Sequence, residues 1–260
     1  NSYLSKSFIG LDNIMIGNGS NEILEFIARS YLNEESEVLF CKHSFLVYKI
    51  ISNNMNAKII ESQPILEPGS DYLCIDLDNM KSHITSKTKV IFIANPSNPT
   101  GTALRMRDID KFIGSISKKI IVVIDEAYYE YSLYQGLKSA ISLLKKYPNV
   151  VITRSFSKIY ALAGSRIGYG LASKKIVSDF NDYRQPFNTN YVAQEMATVS
   201  INDQVFVKKS LKDNLIGMEF LKSSFDNLGV SYLNSYTNFI TIKLGSRTKT
   251  VFNKLLEKGI

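Results

Sequence analysis

Ile120-Ile121-Val122-Val123-Ile124-Asp125 runs an unbroken apolar stretch into a single carboxylate, and Lys89-Val90-Ile91-Phe92-Ile93-Ala94 ahead of it has the same character. A strand with one face in water alternates apolar and polar residues, because successive side chains point to opposite faces. Runs without that alternation are strands buried on both sides, the mark of a parallel sheet covered by helices. Working outward, Glu37–Cys41, Lys58–Ser62, Val150–Arg154 and Ile167–Leu171 read as further strands. The expectation is an α/β fold: a mostly parallel central sheet flanked by helices.

Helical patterns fill the gaps. Ser20 to Leu32 puts Ile23, Leu24, Ile27, Ala28, Tyr31 and Leu32 on one face, and Met106–Ser117, Ser139–Tyr147 and Lys174–Tyr183 also fit helices. A long helix from about Asp203 to Leu228 leaves the sheet. Two strand candidates, Val230–Leu233 and Phe239–Leu244, then precede a helix beginning near Arg247. We therefore expect a large domain over residues 1–214 and a partial smaller α/β domain over 215–260. Two strands plus helices make a poor independent domain. Both ends look abrupt: the chain opens inside a helix or linker and stops at Lys258-Gly259-Ile260, so a longer natural chain is expected.

Composition is that of an ordinary globular protein. No apolar run reaches the roughly 18 residues a membrane span needs, and no charged-then-apolar leader opens the chain, so a cytoplasmic protein without a membrane partner is expected. The net charge is +7, but the lysines are scattered and no basic stripe interleaves with aromatics, which argues against nucleic acid as a partner. Cys41 and Cys74 have neither disulfide nor metal spacing and read as small buried hydrophobes.

Four segments carry chemistry. Ser155-Phe156-Ser157-Lys158 leaves the strand Val150–Arg154 and leads to Gly164-Ser165-Arg166-Ile167-Gly168. Ligands of α/β sheets sit at that carboxyl edge. The hydroxyls and the arginine fork suit a phosphate, and the lysine amine can condense with an aldehyde. Asn95-Pro96-Ser97-Asn98-Pro99-Thr100-Gly101 follows Lys89–Ala94, and its prolines stiffen a loop that holds the Asn98 amide over the same edge. Asp125-Glu126-Ala127-Tyr128 puts a carboxylate at a strand end, costly without a cationic partner. A protonated pyridine nitrogen is one such partner; a metal is another, though no histidine or third carboxylate stands at ligand spacing. Gly17-Asn18-Gly19-Ser20-Asn21 leads into the first helix, either as an anion-binding N-terminus or as a simple capped turn.

In this order, these segments resemble the fold-type I aminotransferases of class I/II, and look most like the histidinol-phosphate aminotransferase group. The likeness rests on Gly17-Asn18-Gly19-Ser20-Asn21-Glu22, the Asn95–Gly101 loop, Asp125-Glu126-Ala127-Tyr128, Ser155-Phe156-Ser157-Lys158 and Leu162-Ala163-Gly164-Ser165-Arg166-Ile167-Gly168-Tyr169, and it runs from about Asn13 to Asn190. The resemblance implies pyridoxal 5'-phosphate as cofactor, held as a Schiff base on Lys158, in the large cofactor-binding domain of that fold. Lys158, Asp125 and Tyr128 would be catalytic. Asp125 would face the pyridine nitrogen, and Asn98 and Tyr128 the ring's 3-hydroxyl group. Ser20, Asn21, Ser155, Ser157 and Arg166 would bind the phosphate. Phe45 stands where the family stacks an aromatic on the ring, although an aromatic there equally fills a core. The Asn98–Pro99 bond is a candidate for the cis form.

The implied reaction moves an amino group between an amino donor, histidinol phosphate, and a 2-oxo acid acceptor, 2-oxoglutarate, in a homodimer, with no metal. Asn21 stands where the family more often has an acidic residue. The family's N-terminal arm has no counterpart before Asn1, and its C-terminal substrate-binding arginine would lie beyond Ile260. A chain that truly ended there is expected to capture cofactor with weak or absent turnover. The readings kept beside this one are an aromatic amino-acid aminotransferase, a threonine-phosphate decarboxylase, a non-catalytic homologue and a basic nucleic-acid binder.

Overall fold

The computed structural model describes residues 9–67, 69 and 72–260; the expected opening helix or linker before residue 9 lies outside them. The strands are β1 (Ile14–Gly17), β2 (Glu37–Cys41), β3 (Lys58–Ser62), β4 (Thr88–Ala94), β5 (Ile121–Asp125), β6 (Val150–Ser155) and β7 (Gly168–Leu171). The helices are α1 (Ser20–Tyr31), α2 (Leu46–Asn54), α3 (Leu77–Ser82), α4 (Met106–Gly114), α5 (Tyr129–Tyr134), α6 (Lys174–Asn181), α7 (Tyr191–Ser200), α8 (Gln204–Asn227) and α9 (Thr248–Glu257).

One sheet of seven strands, in the order β1-β7-β6-β5-β4-β2-β3, forms the centre. Pairing is parallel from β3 through β6, and β7 runs antiparallel to both its neighbours. The apolar runs divide their side chains between two cores, as the period of two requires. Val38, Phe40, Val90, Phe92 and Val123 face α1, α2 and α6. Leu39, Ile91, Ile93, Val122 and Ile124 face α4 and a 3-10 helix at Ala140–Lys145. Each such residue removed from water contributes roughly 1.5–3 kcal/mol before the ordering entropy is subtracted.

Several expectations are corrected. Ser139–Tyr147 holds only that 3-10 turn, opened by the Ser139 hydroxyl accepting from Ile141 N–H. Edge strand β1 and helices α2, α3, α5 and α7 were not expected. Val230–Leu233 and Phe239–Leu244 do not form strands; they meet at a single antiparallel bridge between Tyr232 and Ile242. The reason is local. Ser235 Oγ accepts from Thr237 N–H, and both hydroxyls donate to Phe239 O, so side chains take backbone groups a ladder would have used. Helix α8 passes through residue 215 without a break.

Where β5 and β6 end, Arg154 Nη2 and Nε reach Glu126 Oε2 at 2.8 and 3.0 Å, and both side chains are buried. The carboxylate also accepts from Ser139 Oγ and from Ala140 N–H, at 2.9 and 2.6 Å. Tyr129 lies face-on to the guanidinium, 3.9 Å from its ring centroid. Removing one member strands a buried charge. Arg154→Met should lower unfolding free energy by about 3–5 kcal/mol in denaturant titrations.

Candidate active site

The carboxyl ends of β4, β5 and β6 and the N-terminus of α1 open into one cleft. It brings together Ser20, Asn21, Phe45, Asn98, Asp125, Tyr128, Ser155, Ser157, Lys158 and Arg166, with Ala94, Pro96, Ala127 and Ala163 completing the wall. All ten side chains singled out from the sequence are therefore present, drawn from segments far apart in the chain.

Part of the lining suits an anion. Gly19 ends the turn into α1 at φ 77°, and no side chain caps the helix, which leaves first-turn N–H groups for an acceptor. A Cβ on Gly19 would collide with the Arg166 guanidinium. Arg166 has φ 58°, uncommon for a residue with a side chain, and its Nη1 donates to Ala163 O at 2.8 Å. Strain held at such a position marks a side chain whose placement is over-determined by its surroundings. Ser155 Oγ accepts from Ser157 N–H at 3.0 Å, which fixes both hydroxyl-bearing residues as β6 runs out. Gly168 lets β7 pass directly against Ser20 N, Gly19 C and Arg154 O.

Asp125 lines the same cleft and is 5 % exposed. Burial pushes its carboxyl up from the usual range, and hydrogen bonds from Tyr48, Thr153 and the Ala127 N–H pull the other way. Thr153 Oγ1 and Ala127 N donate to Oδ1 at 3.0 and 3.3 Å, and the Tyr48 hydroxyl donates to Oδ2 at 2.9 Å. Oδ1 thus accepts two bonds and Oδ2 one, so Oδ2 keeps a lone pair for a cationic N–H. Asn98 Nδ2 donates to the Tyr128 hydroxyl at 3.2 Å. Lys158 Nζ lies 5.3 Å from the Tyr128 ring centroid and has no ion pair among the described residues. An anion cradle, an exposed amine and a solvated buried carboxylate in one cleft fit pyridoxal phosphate. Phe45 caps α2 and meets Tyr48 edge-on at 5.8 Å. Both Asn98–Pro99, as expected, and Asn95–Pro96 are cis.

Comparison with known proteins agrees with this geometry. The family model described as aminotransferase class I and II matches residues 5–260. This chain belongs to that family. With it comes dependence on pyridoxal phosphate. The aminotransferase is 40% identical over 252 residues to histidinol-phosphate aminotransferase 1 of Idiomarina loihiensis, covering 97% of this chain and 67% of that one. It is 39% identical over 249 residues to histidinol-phosphate aminotransferase 2 of Pasteurella multocida, covering 96% and 67%. It thus spans about two thirds of the length of these relatives. The solved histidinol-phosphate aminotransferase of Sinorhizobium meliloti superposes with a TM-score of 0.87 at 24% identity, covering 95% of this chain and 66% of that one. That likeness establishes the fold.

Sequence reading missed Tyr48, Thr153 and the Glu126–Arg154 pair. Tyr48 stands three residues after Phe45, on the same side of a helix, and that spacing is the signal that could have found it. Among the described residues no cluster of ligating side chains could hold a metal, and Glu126 is taken up by Arg154. No helix among them is long and apolar enough to cross a membrane.

Gly168→Ala should destabilise the aminotransferase by about 1–3 kcal/mol in a denaturant titration, since backbone atoms on both sides must shift. Glu130, in the first turn of α5, gives a pH test. Burial pushes its carboxyl up to about 7 from 4.5. The unfolded chain sheds that proton near 4.5 and the folded chain keeps it to about 7, so Glu130's stabilising contribution is complete below 4.5 and declines through about 7. Glu130→Gln should flatten the fall in unfolding midpoint between about pH 5 and 8.

Proposed function

We propose that this aminotransferase transfers an amino group from histidinol phosphate to 2-oxoglutarate. The observation that carries the reading is the cleft that Lys158 shares with an anion cradle and the buried carboxylate of Asp125. Its substrate half is supported by relatives named histidinol-phosphate aminotransferase at 39–40% identity across nearly the whole chain. The likeness to the threonine-phosphate decarboxylase of Porphyromonas gingivalis, TM-score 0.74 at 20% identity, is one of fold.

Lys158 Nζ would hold the cofactor covalently. Ser20, Asn21, Ser155, Ser157 and Arg166 would bind its phosphate, Asn98 and Tyr128 its ring hydroxyl, Asp125 its ring nitrogen, and Phe45 a ring face. Pyridoxal phosphate, when bound, supplies an aldehyde carbon and a ring able to store an electron pair. The protein contributes orientation and proton movement. The Lys158 amine, once freed by a substrate amine, would be the base for the proton on the amino-bearing carbon. Asp125, as an anion in a dry site, would favour a proton on the ring nitrogen, an attraction that water would otherwise screen. Tyr128 and Asn98 would orient the ring by donating to its oxygen, and the α1 N-terminus with Arg166 would hold its phosphate.

The same reading divides the chain into a cofactor-binding domain over 1–214 and a partial smaller domain over 215–260, with α8 shared between them. It also includes a second copy of the chain. Tyr191, Val192 and Val199 on α7 and Val205 on α8 leave a strip of large apolar side chains in water, of the kind that protein partners cover. Cytoplasmic residence fits the buried free thiol of Cys41.

The test is an absorbance titration with pyridoxal phosphate, borohydride reduction, and mapping of the adduct, alongside an assay with histidinol phosphate and 2-oxoglutarate. The adduct should map to Lys158. Lys158→Ala should abolish turnover, and Asp125→Ala should lower it at least about a hundredfold, the scale of positioned acid–base groups, while both stay folded. Full activity in Lys158→Ala would overturn the assignment, and carbon dioxide release from a phosphorylated amino acid would move it to a decarboxylase.

A further inference from the structure

Asp125 owes its place to the sheet, but its lone pairs are managed by a residue from elsewhere. Tyr48 lies on α2, 77 residues earlier in the chain, with its side chain completely buried. Its ring stacks on Phe92 of β4, centroids 4.6 Å apart and planes 6° from parallel, and meets Phe45 edge-on at 5.8 Å. These contacts leave the hydroxyl one direction, and there it donates to Asp125 Oδ2 at 2.9 Å. Burial, and then the Asp125 charge, hold the phenol well above its ordinary range, so it remains a donor wherever Asp125 is an anion.

Thr153 and the Ala127 N–H both serve Oδ1. No other hydrogen bond to Oδ2 is made within the described residues. Tyr48 therefore occupies one lone pair of the oxygen that has another to spare, and decides which way that spare one points. We propose that Tyr48 is a positioning residue for the transamination site: it holds Asp125 as an anion with Oδ2 turned to the cofactor's ring nitrogen, and links that oxygen rigidly to Phe45 at the ring face. This rests on the reading of the cleft given above. The charged and titratable groups around Asp125 are Glu126 just after the end of β5, Arg154 on β6 (already tied to Glu126), Tyr48 on α2, Tyr128 in the loop before α5, and Lys158 beyond β6. Of these, Tyr48 is the one whose side chain donates a hydrogen bond to the carboxylate.

Tyr48→Phe keeps the ring, its stacking on Phe92 and its edge contact with Phe45, and deletes only the donor. Two readouts follow, one independent of cofactor. In cofactor-free protein, carbon NMR of the aspartate carboxyls, with Asp125 assigned by its loss in Asp125→Asn, should show the Asp125 midpoint rising by about one pH unit in Tyr48→Phe, the worth of one hydrogen bond to a charged group. In spectroscopic titrations with pyridoxal phosphate, the dissociation constant should rise about tenfold by the same measure, and the acid limb of binding should move up with the carboxyl. A purely structural role for Tyr48 would lower the unfolding midpoint and move neither readout. An unchanged Asp125 midpoint in folded Tyr48→Phe overturns the proposal. If wild type binds no pyridoxal phosphate while the carboxyl midpoint still moves, the reading of the cleft fails and the positioning role falls with it, although the Tyr48–Asp125 bond stands.

Discussion

A strand buried on both faces has nowhere to carry a polar side chain except at its end. β4, β5 and β6 meet that constraint together, packed from above by α1, α2 and α6 and from below by α4 and the 3-10 turn. Their parallel course brings all three ends to one edge. Asn98, Asp125, Tyr128, Ser155, Ser157 and Lys158 therefore gather there because the sheet excludes them from anywhere else. The antiparallel β7 then turns the chain back, and its Gly168 and Gly170 lie tight against the turn into α1 and Ile23. That close approach carries the α1 N-terminus and Arg166 to the same edge.

What the cleft needs beyond convergence is a way to keep charge in a dry place. Two carboxylates leave β5 side by side, and they are handled in opposite ways. Glu126 is neutralised outright by Arg154 and filled by Ser139 and Ala140. Asp125 is only partly solvated, by a phenol, a hydroxyl and one N–H. A fully satisfied ion pair is a structural fixture, whereas a carboxylate with capacity to spare can answer a cation brought to it. Adjacent residues thus divide structure from chemistry.

Most of the sheet was legible because Ile120–Asp125 and Lys89–Ala94 declare their burial by composition. The chemical residues were legible because each follows such a run directly, in loops stiffened by Pro96 and Pro99 or made close by Gly19. What escaped was decided at a distance. Tyr48 looks like one more aromatic in an apolar segment, and its hydroxyl acquires meaning only from a carboxylate on another strand. β1 is four residues long and sits at the sheet's edge, too short for a period to register. The C-terminal strand pair failed for the reverse reason: Ser235 and Thr237 satisfy the backbone locally, a competition that apolar patterning does not record.

That same C-terminal stretch holds the loop bearing Asn98. Tyr236 N–H donates to Gly101 O, the Thr241 hydroxyl donates to Pro99 O, and Phe239 meets the Tyr128 ring edge-on at 5.4 Å. Val207 and Leu211 of α8 pack on Tyr128 and on Ile159, the neighbour of Lys158. The segment after α7 and the floor of the cleft therefore form a lever with a short arm. A displacement of residues 235–241 is felt first at Asn98, through its loop, and at Tyr128. The posture of the C-terminal segment and the occupancy of the cleft are then coupled variables, and whatever free energy one lends the other must be returned in equal measure.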